Sequence, residues 1–261
     1  MLSDYLLWKR ALIRLFRSFG MEINPVGTKR AAEWPGFPDV EPWVEAIINR
    51  VRPYTMTSIE RISILCHATR YVTERRIPGD IVECGVWRGG SMMAAALSLL
   101  AEQDLSRTLY LFDTFMGMPP PSEIDRSWTG ETASALLEKA DRSDLIWACA
   151  SVDEVRANLA ATGYPGERVK LIEGRVENTL PRAAPEQIAI LRLDTDWYES
   201  TKHELIHLYP KLSIGGILII DDYGAWEGAR KAVDEYINEN ELLLFLHRID
   251  HTGRTAVKLR N

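Results

Sequence analysis

The chain has 261 residues, 46% of them hydrophobic and 26% charged, a balance typical of a globular protein. Its 37 acidic residues outnumber 31 basic ones and leave a net charge of −6, which argues against a nucleic-acid partner. No apolar run is long enough to cross a bilayer, and three cysteines without metal-type spacing, Cys66, Cys84 and Cys149, read as reduced thiols in apolar surroundings, as expected of a cytoplasmic protein.

The opening stretch, MLSDYLLWKRALIRLFRSFG, is not a signal peptide, because charges interrupt each apolar run. Leu6, Ile13 and Phe16 with interspersed bases predict an amphipathic helix, packed on its own domain or on a second copy. A homo-oligomer is therefore expected, with a membrane-surface helix as the alternative. Residues 20–55, rich in Pro, Gly and Trp, read as a loop-dominated cover. Residues 1–55 are accordingly set apart as an N-terminal helical and lid extension, and 56–261 as the main domain.

From Ser58 the spacing of Ile59, Ile62, Leu65 and Cys66 predicts a helix with Ser58 as its cap. Strands and helices then alternate. GDIVECG, TLYLFDTF, VKLIEG, IAILRLDTD and GGILIIDDY read as strands, and LLLFLHRI with TAVKLR as a terminal strand pair. Strongly apolar strands between helices imply an α/β fold with a parallel sheet covered on both faces. Ligands in such sheets bind beyond the carboxyl ends of the strands. Between Thr114 and Glu131 the prolines and glycines forbid regular structure, and a loop of this length predicts a lid.

The first strand of the alternation leads into IVECGVWRGGS, with Gly85, Gly89 and Gly90 ahead of a helix. Glycines let a ligand approach the backbone. The spacing departs from the dinucleotide fingerprint, and Glu83 would repel a pyrophosphate. An acid there suits a ligand with a cationic amine. Asp113, closing the next strand, can accept from both hydroxyls of a ribose. The pair fits S-adenosyl-L-methionine better than NAD.

Two later strands also end in acids, Asp194 with Asp196 and Asp221 with Asp222. Either pair alone could be an ordinary turn. Together, Asp194, Asp221 and Asp222 come from neighbouring strand ends, where three carboxylates raise one another's pKa unless a cation intervenes. Mg2+ takes such hard oxygen ligands. His203 and His207, four apart on one helix, have zinc-like spacing but lack a third ligand, and read as helix-face residues. Trp87, Trp128, Trp197 and Trp226 flank the motif loops and suggest an apolar wall for a substrate.

The blocks PGDIVECGVWRGGS, LFDTFMGMP, ILRLDTDWYESTKHEL and YPKLSIGGILIIDDYGAWEGARKAVDEY resemble the macrocin O-methyltransferase family, which includes noviose and mycinose O-methyltransferases. The resemblance runs from about Met56 to the C-terminus. It implies a class I S-adenosylmethionine-dependent methyltransferase: Rossmann-like, mostly parallel, with a C-terminal antiparallel strand. It implies Mg2+-dependent methyl transfer to a hydroxyl of a sugar on a small-molecule natural product. Carried onto this chain, Glu83, Gly85 and Ser91 belong to the cofactor loop and Asp113 to the ribose contact. YTMTS, with Thr57, closes over the methionine end, and Ser151 and Gly174 approach the adenosine. Asp194, Asp221 and Asp222 match the metal ligands and Asp196 the general base. A catechol or phenol acceptor and a non-catalytic cofactor-binding module are the alternatives.

Overall fold

The computed structural model describes residues 39–260, so the amphipathic helix and the first part of the cover expected before residue 39 lie outside them. Residues Val40–Asn261 form one compact unit. It begins with a helix, α1 (Pro42–Val51), where a loop was expected. Proline at the first helical position loses no hydrogen bond and presets the backbone, so Pro42 starts this helix and does not break one. Val44, Ile47, Ile48 and Val51 form its buried stripe. Helix α2 (Ile59–Glu74) is capped by Ser58, whose hydroxyl accepts from Arg61 N at 3.2 Å.

The strands are β1 (Asp80–Cys84), β2 (Leu109–Asp113), β3 (Val169–Glu173), β4 (Ile188–Leu193), β5 (Leu212–Ile220), β6 (His247–Arg248) and β7 (Arg254–Val257). They form one seven-stranded sheet in the order β3-β2-β1-β4-β5-β7-β6. β1 to β5 are parallel; β7 runs antiparallel to β5, and β6 antiparallel to β7. Between them lie α3 (Gly90–Ala101), α4 (Ala133–Lys139), α5 (Val152–Ala160), α6 (Val176–Thr179), α7 (Tyr198–Leu208) and α8 (Glu227–Glu239). The short helices α4 and α6 were not expected.

Side chains alternate across a strand, so each strand serves two layers. Val82, Cys84, Leu191, Leu193, Leu218 and Ile220 form a core with Leu205 and Leu208 of α7 and with Val233 and Tyr236 of α8. The other set, Ile81, Glu83, Ile190, Arg192 and Ile219, is equally buried. It belongs to the opposite face, which is the one that meets α2. All six residues of β4 are buried. Each such aliphatic side chain contributes roughly 1.5–3 kcal/mol on leaving water.

Register decides what reaches the sheet edge. Cys84 pairs with Phe112 and with Leu193, and Leu193 pairs with Ile220. The residues that follow this row, Gly85, Asp113, Asp194 and Asp221, therefore stand level at the carboxyl edge. Asp113 pairs with Glu173, which brings Gly174 beside them. The loop from Thr114 to Glu131 contains no helix or strand, as its prolines dictate. Isolated bridges join Arg126 to Thr132 and Ser127 to Trp226. Cys66 and Cys84 are buried free thiols, but Cys149 is exposed, contrary to the apolar setting expected of it. Among the described residues no helix is long and apolar enough to cross a membrane.

Candidate active site

An open cleft of about 1090 Å³, counted out to solvent, runs along the carboxyl edge. Thr57, Gly85, Ser91, Asp113 and Gly174 line it, and so do Asp194, Asp196, Asp221 and Asp222. Two residues expected at the cofactor are not among those lining the cleft. Glu83 is buried behind the wall, and Ser151 is exposed and caps α5, its hydroxyl accepting from Glu154 N at 3.2 Å.

The cofactor side is built by backbone. Gly85 has φ +81°, and a Cβ there would collide with the Asp194 carbonyl. Gly89, at φ +86°, precedes α3, whose first turn holds the buried Ser91. Asp113 accepts from Val86 N at 2.6 Å, from Trp87 N at 3.1 Å and from Phe115 N at 2.7 Å. It thus braces the glycine loop at the cleft wall. Burial pushes its pKa up against those hydrogen bonds.

The acid side is denser. One oxygen from each of Asp194, Asp221 and Asp222 can be chosen so that all three lie within 4.8 Å of one another. Two cations missed by sequence reasoning stand among them. Arg192, 2% exposed, pairs with Glu83, its cross-strand neighbour, and with Asp221. Its guanidinium also donates to Asp194 Oδ2 at 2.7 Å and to Thr57 Oγ1 at 3.0 Å. Arg61, from α2, pairs with Asp221, and its Nε lies 2.9 Å from Asp250 Oδ2. A charged residue inside a wholly buried strand must be paired, so ILRLD carried the signal for Arg192. Nothing in the sequence singled out Arg61.

Thr57 Oγ1 donates to Asp221 at 3.1 Å, which ties the segment before α2 to the acids. Burial raises the Glu83 carboxyl to about 8 despite Arg192, and Asp194 to about 6. Asp196 is raised to about 8 by burial and the Asp194 charge. Asp222 is also raised, by burial and its carboxylate neighbours. Asp196 adopts a left-handed backbone, φ +67°. Its carboxylate accepts from Trp226 Nε1 at 2.6 Å, and its own N donates to Asp222 Oδ2 at 3.3 Å.

The tryptophans divide. Trp87 lines the cleft, Trp128 is 76% exposed, and Trp197 is a core residue packed against Trp226. His203 and His207 meet edge-on, their ring centroids 4.3 Å apart, and do not line the cleft.

This topology and cleft are those of a class I S-adenosylmethionine-dependent O-methyltransferase. The structure of the O-methyltransferase NovP matches with a TM-score of 0.70 at 34% identity, over 79% of this chain and 83% of that one. The calicheamicin methyltransferase CalS11 shares the fold, with a TM-score of 0.61 at 20% identity over 90% of this chain and 99% of that one. The macrocin O-methyltransferase (TylF) family model matches residues 49–258, and the chain belongs to that family. Demethyldecarbamoylnovobiocin O-methyltransferase of Streptomyces niveus is 36% identical, over 77% of this chain and 74% of the relative. A rhamnosyl-tetracenomycin-C 4′-O-methyltransferase of Streptomyces olivaceus is 34% identical, over 84% and 81%. Mycinamicin III 3″-O-methyltransferase of Micromonospora griseorubida is 32% identical, over 77% and 76%.

Proposed function

We propose that the enzyme methylates a hydroxyl of a sugar, a deoxysugar in particular, carried on a small-molecule natural product, in a Mg2+-dependent reaction. The relatives named for tetracenomycin and mycinamicin methylate 4′ and 3″ hydroxyls, which supports a glycosylated acceptor. The observation that carries the metal is the gathering of Asp194, Asp221 and Asp222 on one rim with Asp196 beside them. The donor set fits: all three side chains offer hard oxygens, as Mg2+ prefers. The two arginines offset part of the negative charge and leave it unbalanced in the direction a cation would correct. Bound there, Mg2+ supplies Lewis-acid polarisation of an alcohol.

The chain's own residues do the rest. The glycine loop and Asp113 seat the adenosyl part, and Thr57 stands where the methionine end meets the acids. The cleft walls align the acceptor oxygen with the sulfonium methyl, and alignment lowers the barrier by several kcal/mol. Asp196 takes the hydroxyl proton as the oxygen attacks, and the thioether leaves as the product of demethylation. A vicinal diol offers a second oxygen that fixes which hydroxyl reacts. The enzyme works in the cytoplasm as a homo-oligomer on this reading.

A methyl-transfer screen over demethylated deoxysugar glycosides and catechols, with and without EDTA, tests the reading. Turnover of a glycoside that stops with EDTA and returns with Mg2+ is expected. EDTA-resistant turnover removes the metal, and a catechol preference removes the sugar. Asp196→Asn is expected to keep S-adenosylmethionine and Mn2+ affinity while losing about 10²–10⁴-fold in kcat.

A further inference from the structure

The base position on this reading is itself supported by a residue with no role so far. We propose that the Trp226 indole is a positioning residue for Asp196, and that the long loop over residues 125–128 holds the indole in place. The proposal rests on Asp196 being the general base.

Asp196 sits in a left-handed conformation, φ +67°. Such a backbone costs on the order of 1–3 kcal/mol for a residue other than glycine and persists only where its surroundings over-determine it. The Trp226 Nε1 donor at 2.6 Å from Asp196 Oδ1 is one of those constraints. An indole is a donor and never an acceptor. It can fix the plane of a carboxylate without competing for the proton that the carboxylate must take. Nor does it bring the full charge of a lysine or arginine, which would weaken the base.

The indole is itself clamped. Its ring meets the Trp197 ring edge-on, with centroids 4.8 Å apart, and Trp197 Nε1 donates to Pro119 O at 3.0 Å. Trp226 N donates to Asp222 O at 3.1 Å. The 125–128 segment then runs alongside: Trp128 N donates to Ala225 O at 2.9 Å and Glu227 N to Arg126 O at 2.8 Å, with Ser127 bridged to Trp226. Asp125, fully buried, anchors that segment by accepting from Tyr198 N at 2.8 Å. Gly228 has no room for a side chain, because a Cβ would strike Asp125 Oδ1. The loop ahead of α8 and the long loop thus form one hydrogen-bonded body, and its innermost point touches Asp196.

Two readouts test this. The first needs no acceptor. In enzyme with 15N-labelled indoles, the Trp226 N–H resonance, assigned by its loss in Trp226→Phe, is expected far downfield as a carboxylate-bonded donor. It should move upfield in Asp196→Asn. An indole resonance indifferent to Asp196→Asn overturns the proposal. The second is kinetic, on the glycoside that the wild type turns over, with demethyldecarbamoylnovobiocin and mycinamicin III as first probes. Trp226→Phe keeps the ring contact and loses the donor. Its kcat is expected to fall about 10- to 100-fold, with acceptor KM and S-adenosylmethionine Kd within about twofold of wild type. Trp226→His, which restores a ring donor, should recover part of the loss. Gly228→Ala, which displaces Asp125, should lower kcat in the same way and add little to Trp226→Phe. Wild-type kcat in Trp226→Phe, or a loss confined to KM, overturns the proposal while leaving the base in place if Asp196→Asn is inactive. Full turnover in Asp196→Asn overturns the base reading instead.

Discussion

At the scale of single residues, conformation and burial make sharper demands than residue type. Gly85 combines φ +81° with a path of closest approach to the Asp194 carbonyl. Gly85→Ala must strain its own backbone and push β4's end away, so a loss of about 1–3 kcal/mol in stability is expected, read from urea melts. Turnover should fall with it, because the displaced residue is one of the acids. Glu204 in α7 makes a different demand. It is fully buried, accepts from Thr195 Oγ1 at 2.9 Å, and leaves Oε2 without a partner among the described residues. Burial pushes its pKa well above the usual range. In the unfolded chain the group ionises near pH 4.3, so above that pH folding must take up a proton or bury a charge, and stability falls as pH rises. Glu204→Gln removes this cost. Its melting temperature should match wild type near pH 4 and exceed it by a growing margin toward pH 8.

At the scale of elements, polar and ionic contacts tie the start of α2 to the β6–β7 turn. Asp250 accepts from Ser58 Oγ at 2.6 Å, from Thr252 N at 2.9 Å and from Gly253 N at 2.6 Å, and Arg61 Nε stands 2.9 Å away. Burial alone would raise its pKa; the hydrogen bonds and Arg61 outweigh it and hold the carboxyl down to about 2. This contribution is present above about pH 3.9 and is lost as pH falls toward 2. Asp250→Asn should therefore cost about 1–3 kcal/mol at pH 7 and nothing measurable near pH 2, by thermal melts across that range. Arg192 sets a larger stake between β1, β4 and β5. Arg192→Met removes the cation that Glu83, Asp194 and Asp221 share and should cost about 3–5 kcal/mol. Adding Glu83→Gln should return a substantial part of it.

At the scale of the whole molecule, the parallel sheet was legible because each strand is an apolar run ending in a glycine or an acid. The gathering of Asp194, Asp221 and Asp222 followed from neighbouring strand ends. What the sequence hid has a physical reason in each case. Pro42 opens a helix, but proline in a Trp-rich stretch reads as a loop, because its meaning depends on the residues after it. Ser151 caps a helix, a role that the sequence around it does not distinguish from a ligand contact. Glu83 and Arg192 required strand register, which no single segment specifies. Cofactor binding acts at this scale as well. A ligand that bridges loops from several strands stabilises the fold as a unit, by about 2.7 kcal/mol at a concentration 100 times its Kd. S-adenosylhomocysteine should raise the melting temperature by several degrees, and the gain should be smaller in Thr57→Val, which loses the donor to Asp221.

Arg61 and Arg192 have one more consequence. Because guanidiniums already pair with Asp221 and Asp194, the fold is expected to hold without the ion. On the proposed reading, a preparation stripped by chelation should melt within a few degrees of the replete one yet be idle, and resume work as soon as the salt is returned. Divalent supply would then act on this catalyst mainly as a throttle, with little bearing on how long the protein survives.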